Sequence, residues 1–221
     1  MALRATAVWL LALFALAGCG GGGGSKGSSG GSNVCSQFGT GPAPRTTKAP
    51  WPAPENPMAL TCKAGLVPEK AEFLQYHVHA HLDVFVNARV LFVPAGIGID
   101  IDNPAVQADR SPNGLVNGAG LKQVCDQPCI SPLHTHDLSG LLHTETKTRS
   151  PNRLGQFFTE WAVRLTPNCI GGYCKPAVPI KIYVDGKLET GDPAQIELSD
   201  LREIAIVIGT PPATIPKEFP K

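Results

Sequence analysis

Tyr76-His77-Val78-His79-Ala80-His81-Leu82-Asp83-Val84-Phe85-Val86 is the stretch on which the fold turns. Tyr76, Val78, Ala80, Leu82, Val84 and Val86 share one parity, and His77, His79, His81, Asp83 and Phe85 share the other. Side chains of an extended chain point alternately to opposite faces, so the pattern predicts a β-strand with one apolar face and one polar, histidine-rich face. A turn at Asn87-Ala88-Arg89 is expected to return the chain through Val90 to Val93, with Ala88 standing where glycine would suit better.

Further along, Ile180 to Val184, Asp185-Gly186 and Lys187 to Glu189 read as a second hairpin, since Asp-Gly fits a two-residue turn. Ile204 to Ile208 is a short apolar run bounded by Gly209 and Pro211, which predicts a buried strand in a central position. One helix is expected where Leu154, Phe157, Phe158, Trp161 and Leu165 recur at helical spacing, with Ser150-Pro151 as cap and first turn. This aromatic stripe packs on a sheet or, alternatively, Phe158 and Trp161 line a ligand pocket. The fold class is therefore mostly β, a β-rich α+β domain of antiparallel sheet hairpins with one amphipathic helix packed on the sheet.

All six histidines lie in two short segments, His77 to His81 and His134 to His143. Residues i and i+2 of a strand share a face with Cα atoms about 6.5–7 Å apart, so each H-x-H pair can bring two imidazoles to one metal ion. The outer two of His77, His79 and His81 would be roughly 13 Å apart on a straight strand, so either the strand bends or one imidazole does something else. In the second segment Asp137-Leu138-Ser139-Gly140 supplies turn residues. With Ser139-Gly140 as a two-residue tip, His136 would face His143 and His134 would face Glu145.

The candidate metal ligands are thus His77, His79, His81, His134, His136 and His143, with Glu145 as a further ligand or hydrogen-bond partner. Asp137 is the candidate group behind an imidazole, fixing its tautomer. The two segments are expected to converge on one site. Methionine occurs only at Met1 and Met58, which argues against a thioether Cu(I) site and leaves zinc or Cu(II) as the cofactor. The rival reading is a solvated, pH-responsive or interacting histidine face.

At the N-terminus Arg4 precedes an uncharged apolar run from Ala5 to Ala17, too short to span a bilayer as a stable helix. Leu16-Ala17-Gly18-Cys19 resembles the lipobox of bacterial lipoproteins. That resemblance implies a signal peptide over residues 1–18, a lipid on Cys19 that anchors the chain to a membrane, and a place in the bacterial cell envelope. Gly20 after the cysteine is similar to the outer-membrane sorting pattern, facing the periplasm or the cell surface. Residues 19–61 read as a tether, flexible from Gly20 to Ser32 and stiffer from Pro42 to Pro57, unless the second part packs on the domain as a strap carrying Trp51. The domain proper is expected over 62–221.

With Cys19 lipidated, Cys35, Cys62, Cys125, Cys129, Cys169 and Cys174 remain, an even number that suits disulfides in an oxidising compartment. The short spacings suggest Cys125 with Cys129 and Cys169 with Cys174; a thiolate zinc site is the competing reading. A formal net charge of +1 without a basic run offers no support for a nucleic-acid or anionic-lipid surface. The H-x-H-x-H strand with Leu133-His134-Thr135-His136-Asp137-Leu138-Ser139-Gly140 also resembles exported bacterial proteins with an L-H-T-H-D-x-S-G hairpin, which implies a shared site from Tyr76 onward but no reaction. The function classes are a metal-binding module of the envelope, a metal-dependent hydrolase or copper oxidoreductase at the same histidines, and a structural or adhesive lipoprotein without metal. No nucleophile motif, phosphate loop or nucleotide fingerprint competes.

Overall fold

The computed structural model describes Met1 and residues 34–221; the leader, Cys19 with its lipobox and the Gly/Ser run lie outside the described residues. Among the described residues no helix is long and apolar enough to cross a membrane. The elements are α1 (Pro57–Lys63), β1 (Tyr76–Val86), β2 (Arg89–Leu91), β3 (Val106–Arg110), β4 (Val116–Leu121), β5 (Leu133–His134), β6 (Leu141–Thr146), α2 (Leu154–Glu160), β7 (Cys169–Ile170), β8 (Tyr173–Cys174), β9 (Ile180–Val184), β10 (Lys187–Glu189) and β11 (Arg202–Ile208). A 3-10 turn covers Pro193–Gln195. The protein is a β-rich α+β fold, as the alternation predicts.

The main sheet runs β10-β9-β11-β1-β6-β5, with β2 also paired to β1, while β3-β4 and β7-β8 are separate two-stranded ribbons. Five neighbouring pairs of this sheet are antiparallel; β1 and β11 run parallel, from Ala80 opposite Arg202 to Val86 opposite Ile208. β11 is central, as its apolar run requires. Both hairpins predicted from turn residues form: Val86 pairs with Arg89 around Asn87-Ala88, and Val184 pairs with Lys187 around Asp185-Gly186. The turn residues have positive φ, 49° and 65° in the first and 50° and 74° in the second, the backbone that two-residue hairpins need to match strand twist.

One face of β1 supplies Ala80, Leu82 and Val84 to the main core, joined by Ile204, Ile206 and Ile208 of β11, Ile180 and Ile182 of β9, and Leu142 of β6. Leu154, Phe157, Phe158 and Trp161 pack in the same core, so the aromatic stripe serves packing. Each such fully buried side chain contributes about 1.5–3 kcal/mol by leaving water. The other face of β1 carries the histidines and Phe85, which clusters with Ala205 and Val207.

The helix expectations are corrected at three points. Among the described residues α1 adds to the one helix expected, and α2 is shorter than its stripe. Ala162 takes a left-handed φ of 53° and Val163 N–H closes on Phe158 O at 2.9 Å, ending the helix so that Leu165 bridges Ile170 instead. The helix cap is Arg153, whose N–H is accepted by Gln156 Oε1 at 2.9 Å, rather than Ser150-Pro151. Asn152 just before it is committed elsewhere, its Nδ2 donating to Thr144 of β6 at 3.1 Å.

Of the two readings open for residues 42–57, a stiff tether or a strap ahead of Cys62, the packing favours the strap. Trp51 is buried edge-on against Trp161, with ring centroids 5.7 Å apart, and Trp161 Nε1–H donates to Trp51 O at 3.0 Å. Arg45 bridges Val163, and Cys35 is joined to Cys62. The proline-rich part of the tether is therefore a strap on the domain, drawn in by the apolar area of Trp51. The other disulfides are Cys125–Cys129 and Cys169–Cys174, the short-range pairs expected, and none of these six cysteines is left to form a thiolate zinc site.

Candidate metal centre

β6 lies between β1 and β5, so its residues meet histidines on both sides. His143 is opposite His79 and Glu145 opposite His77 in the β1–β6 ladder, while His134 is opposite His143 in the β5–β6 ladder. The expected pairing of His136 with His143 and of His134 with Glu145 is shifted, because the connection is longer than two residues. Thr135 exchanges hydrogen bonds with the segment at Gly96 and Ile97 instead of β6, which ends the ladder at His134. Gly140 then closes the loop at φ 87°, where a Cβ would come within 2.6 Å of Leu82 O.

His136 is held by β4. Ala119 N–H donates to His136 O at 2.7 Å, and His136 Nδ1 donates to Ala119 O at 2.8 Å. The buried ring of His134 donates its Nδ1–H to Ser131 O at 2.9 Å. Carbonyl oxygens only accept, so both rings carry a proton on Nδ1, and in the neutral form of each ring Nε2 is the free lone pair. Those two Nε2 atoms lie 3.1 Å apart.

The two histidine segments converge as the spacing suggests. His79 Nε2 is 3.1 Å from His143 Nδ1, and His77 Nε2 is 3.2 Å from Glu145 Oε1. His134, His136, His143 and Glu145 each offer a donor atom within 4.8 Å of the others, as do His77, His79 and His143, so these histidine clusters can hold a metal ion.

His81, expected among the ligands, is the imidazole of β1 that does something else. Its Nδ1 meets Glu203 Oε2 at 2.8 Å and its Nε2 donates to Ser139 O at 2.8 Å, so both nitrogens are engaged away from the other five rings. It does sit near Asp83, with which it and Glu203 form a third acid-and-imidazole group. Asp137 fixes no imidazole; its Oδ1 accepts from Ser139 N–H at 2.8 Å and shapes the loop, while main-chain carbonyls set the tautomers. Glu72 escapes sequence reading, since it lies in an irregular segment with no pattern around it. Its Oε1 is 3.8 Å from His136 Nε2. Glu203 was equally hidden, being one acid at the start of an apolar run.

Burial, with the neighbouring His136 next in effect, pushes His134 down to about 3, so this ring stays neutral. His79 is also lowered, by burial and by His143 and His77. Burial works to raise Glu145, but the hydrogen bond from His143 and the nearby imidazoles outweigh it and hold the carboxylate ionised. Glu72 is raised by burial and by repulsion from Glu145. Burial opposes charge on His81, and Glu203 beside it more than compensates, raising the imidazole. Comparison with protein-family models, curated proteins and solved structures finds no match to this chain.

Proposed function

We propose that this protein binds a transition metal ion, zinc or Cu(II), through His134, His136, His143 and Glu145, as a lipid-anchored protein of the bacterial cell envelope. One observation carries the metal reading: the Nε2 lone pairs of His134 and His136 face each other at 3.1 Å, with both Nδ1 protons already given to backbone carbonyls. Two acceptors so placed repel unless a cation lies near both. In a tetrahedral site with bonds of about 2.0–2.1 Å, neighbouring donor atoms are about 3.3–3.4 Å apart. The spacings of 3.1 Å between these nitrogens and 3.4 Å between His143 Nδ1 and Glu145 Oε1 suit that shell.

His134 and His136 enter as neutral ligands through Nε2 and Glu145 supplies negative charge, so neither of these two rings has to give up its Nδ1 proton to bind the ion. Backbone carbonyls behind His134 and His136 keep the rings oriented and raise their basicity. The envelope assignment is supported by the lipobox-like Leu16 to Cys19 and by three disulfides, which persist in oxidising compartments. A metal-dependent enzyme is the second reading, favoured by the partial exposure of His77, His136 and Glu72, with side chains 34, 29 and 31% accessible. That opening gives a small substrate or a water access to the ion, and the raised Glu72 carboxyl would be placed to exchange a proton.

The test is metal analysis and titration calorimetry of the full chain purified without a histidine tag. Stoichiometric zinc or Cu(II), lost on chelation and regained on titration, is the expected result. Absence of binding at micromolar metal would remove the proposal, and turnover of a hydrolytic or redox substrate only by the loaded protein would favour the enzyme.

A further inference from the structure

The donor atoms outnumber what one ion takes. Zinc sites are almost always four-coordinate, yet five imidazoles and Glu145 form one continuous group, with Glu72 at its edge. Glu145 stands in the middle and looks both ways. Its Oε1 is 3.2 Å from His77 Nε2 and 3.4 Å from His143 Nδ1, while its Oε2 is 4.0 Å from His134 Nε2. The side chain is only 5% exposed, and Oε2 is buried with no hydrogen-bond partner. A buried carboxyl oxygen without a partner is costly, and a cation on its far side removes that cost.

We infer that the centre is dinuclear, with Glu145 as a bridging carboxylate between two metal ions. The inference rests on the metal reading above, adds a second ion to it, and passes His143 from the first ion to the second. One ion takes His134 Nε2, His136 Nε2 and Glu145 Oε2, with Glu72 within reach of the same corner at 3.8 Å from His136 Nε2. The other takes His77, His79, His143 Nδ1 and Glu145 Oε1. His143 borders both groups and is assigned to the second ion because its Nδ1 is 3.1 Å from His79 Nε2. Each ion then has a half-buried or exposed ligand on the solvent side, His136 and Glu72 for the first and His77 for the second, so both positions are reachable from outside. Two ions sharing a clamp of this kind lie about 3.5–4 Å apart in known two-metal sites.

The experiment is titration of the full chain with Cu(II) and separately with zinc, read by calorimetry, by elemental analysis after desalting, and by electron paramagnetic resonance for copper. The expected result is two ions per chain, with the copper resonance broadened or quenched by coupling. In the double variant His77→Ala/His79→Ala stoichiometry should fall to one and an uncoupled Cu(II) signal should appear. Glu145→Gln should retain copper while losing the coupling. Saturation of the unmodified chain at one ion, or two ions without coupling, overturns the bridged pair while leaving the metal reading intact. Failure of the unmodified chain to bind either metal overturns both.

Discussion

Ser131 and Ala119 meet the rings of His134 and His136 through main-chain carbonyl oxygens, and those oxygens decide which nitrogen each neutral ring can offer. No residue pattern marks them, which is why the histidines were legible from their i, i+2 spacing while the source of their tautomers was not. His136→Ala should lower metal affinity by about 100-fold or more, since a ligand should matter at least as much as the groups behind it, measured by competition with a chromophoric chelator. His81→Ala should behave oppositely. Metal stoichiometry should be unchanged, whereas stability in urea should fall by about 3–5 kcal/mol because Glu203, 1% exposed, is left as a buried acid without its partner. A fall in affinity without loss of stability would place His81 among the ligands. Glu160 provides a test away from the metal. It is fully buried between α1 and α2, Ser131 and Thr61 approach it without completing a well-formed hydrogen bond, and burial pushes its carboxyl up to about 8. The unfolded chain ionises this group near its ordinary value, so between the two values the folded state keeps a proton that the unfolded state has released. Stability is therefore lost as pH rises from about 5 to 8, by about 3 kcal/mol from this group alone. Glu160→Gln should flatten that slope, and denaturant midpoints at both pH values would check it.

Among the elements, the two hairpins separate what turn chemistry reveals from what it hides. Asp185-Gly186 announced its register because a two-residue turn with positive φ at both positions has few suitable sequences. Asn87-Ala88 folds the same way with alanine at φ 65°, so Ala88→Gly should raise stability by about 1 kcal/mol, seen as an increased melting temperature. A decrease would mean that the Ala88 side chain contributes more than its backbone strain takes away. The β5–β6 pairing lies two residues out of the register that Ser139-Gly140, taken as a complete turn, would give, so the histidines keep their face while their partners change. The length of the connection is set instead by Thr135 pairing with Gly96 and Ile97 and by His136 pairing with Ala119, contacts from distant segments that no local window contains. The end of α2 was missed for a related reason: the helical spacing of Leu165 survives in sequence after Ala162 has turned the backbone left-handed.

For the molecule as a whole, alternation along β1 was enough to predict a β-rich fold, but not that the last strand would pair in parallel with the first. The strap was also only half visible, because prolines describe stiffness and Trp51 alone signals a place in the core. Cys35, Cys62, Cys125, Cys129, Cys169 and Cys174 should resist alkylation in denatured, unreduced protein, and labelling of any of them by mass spectrometry would contradict the pairing. Cys19→Ser should release the protein from membranes, measured by fractionation and by loss of fatty-acid labelling; a variant that stays labelled would end the lipid-anchor proposal. The parallel contact of β1 with β11 has a further consequence, in time rather than in space. Leu82 and Val84 cannot acquire their neighbours Ile204 and Ile206 until the chain has been made through β11. Closing so long an intervening loop is entropically slow, and sheets built from distant strands fold late. A polypeptide whose central sheet waits for β11 stays threadable until that strand is made, and locks only once it has arrived.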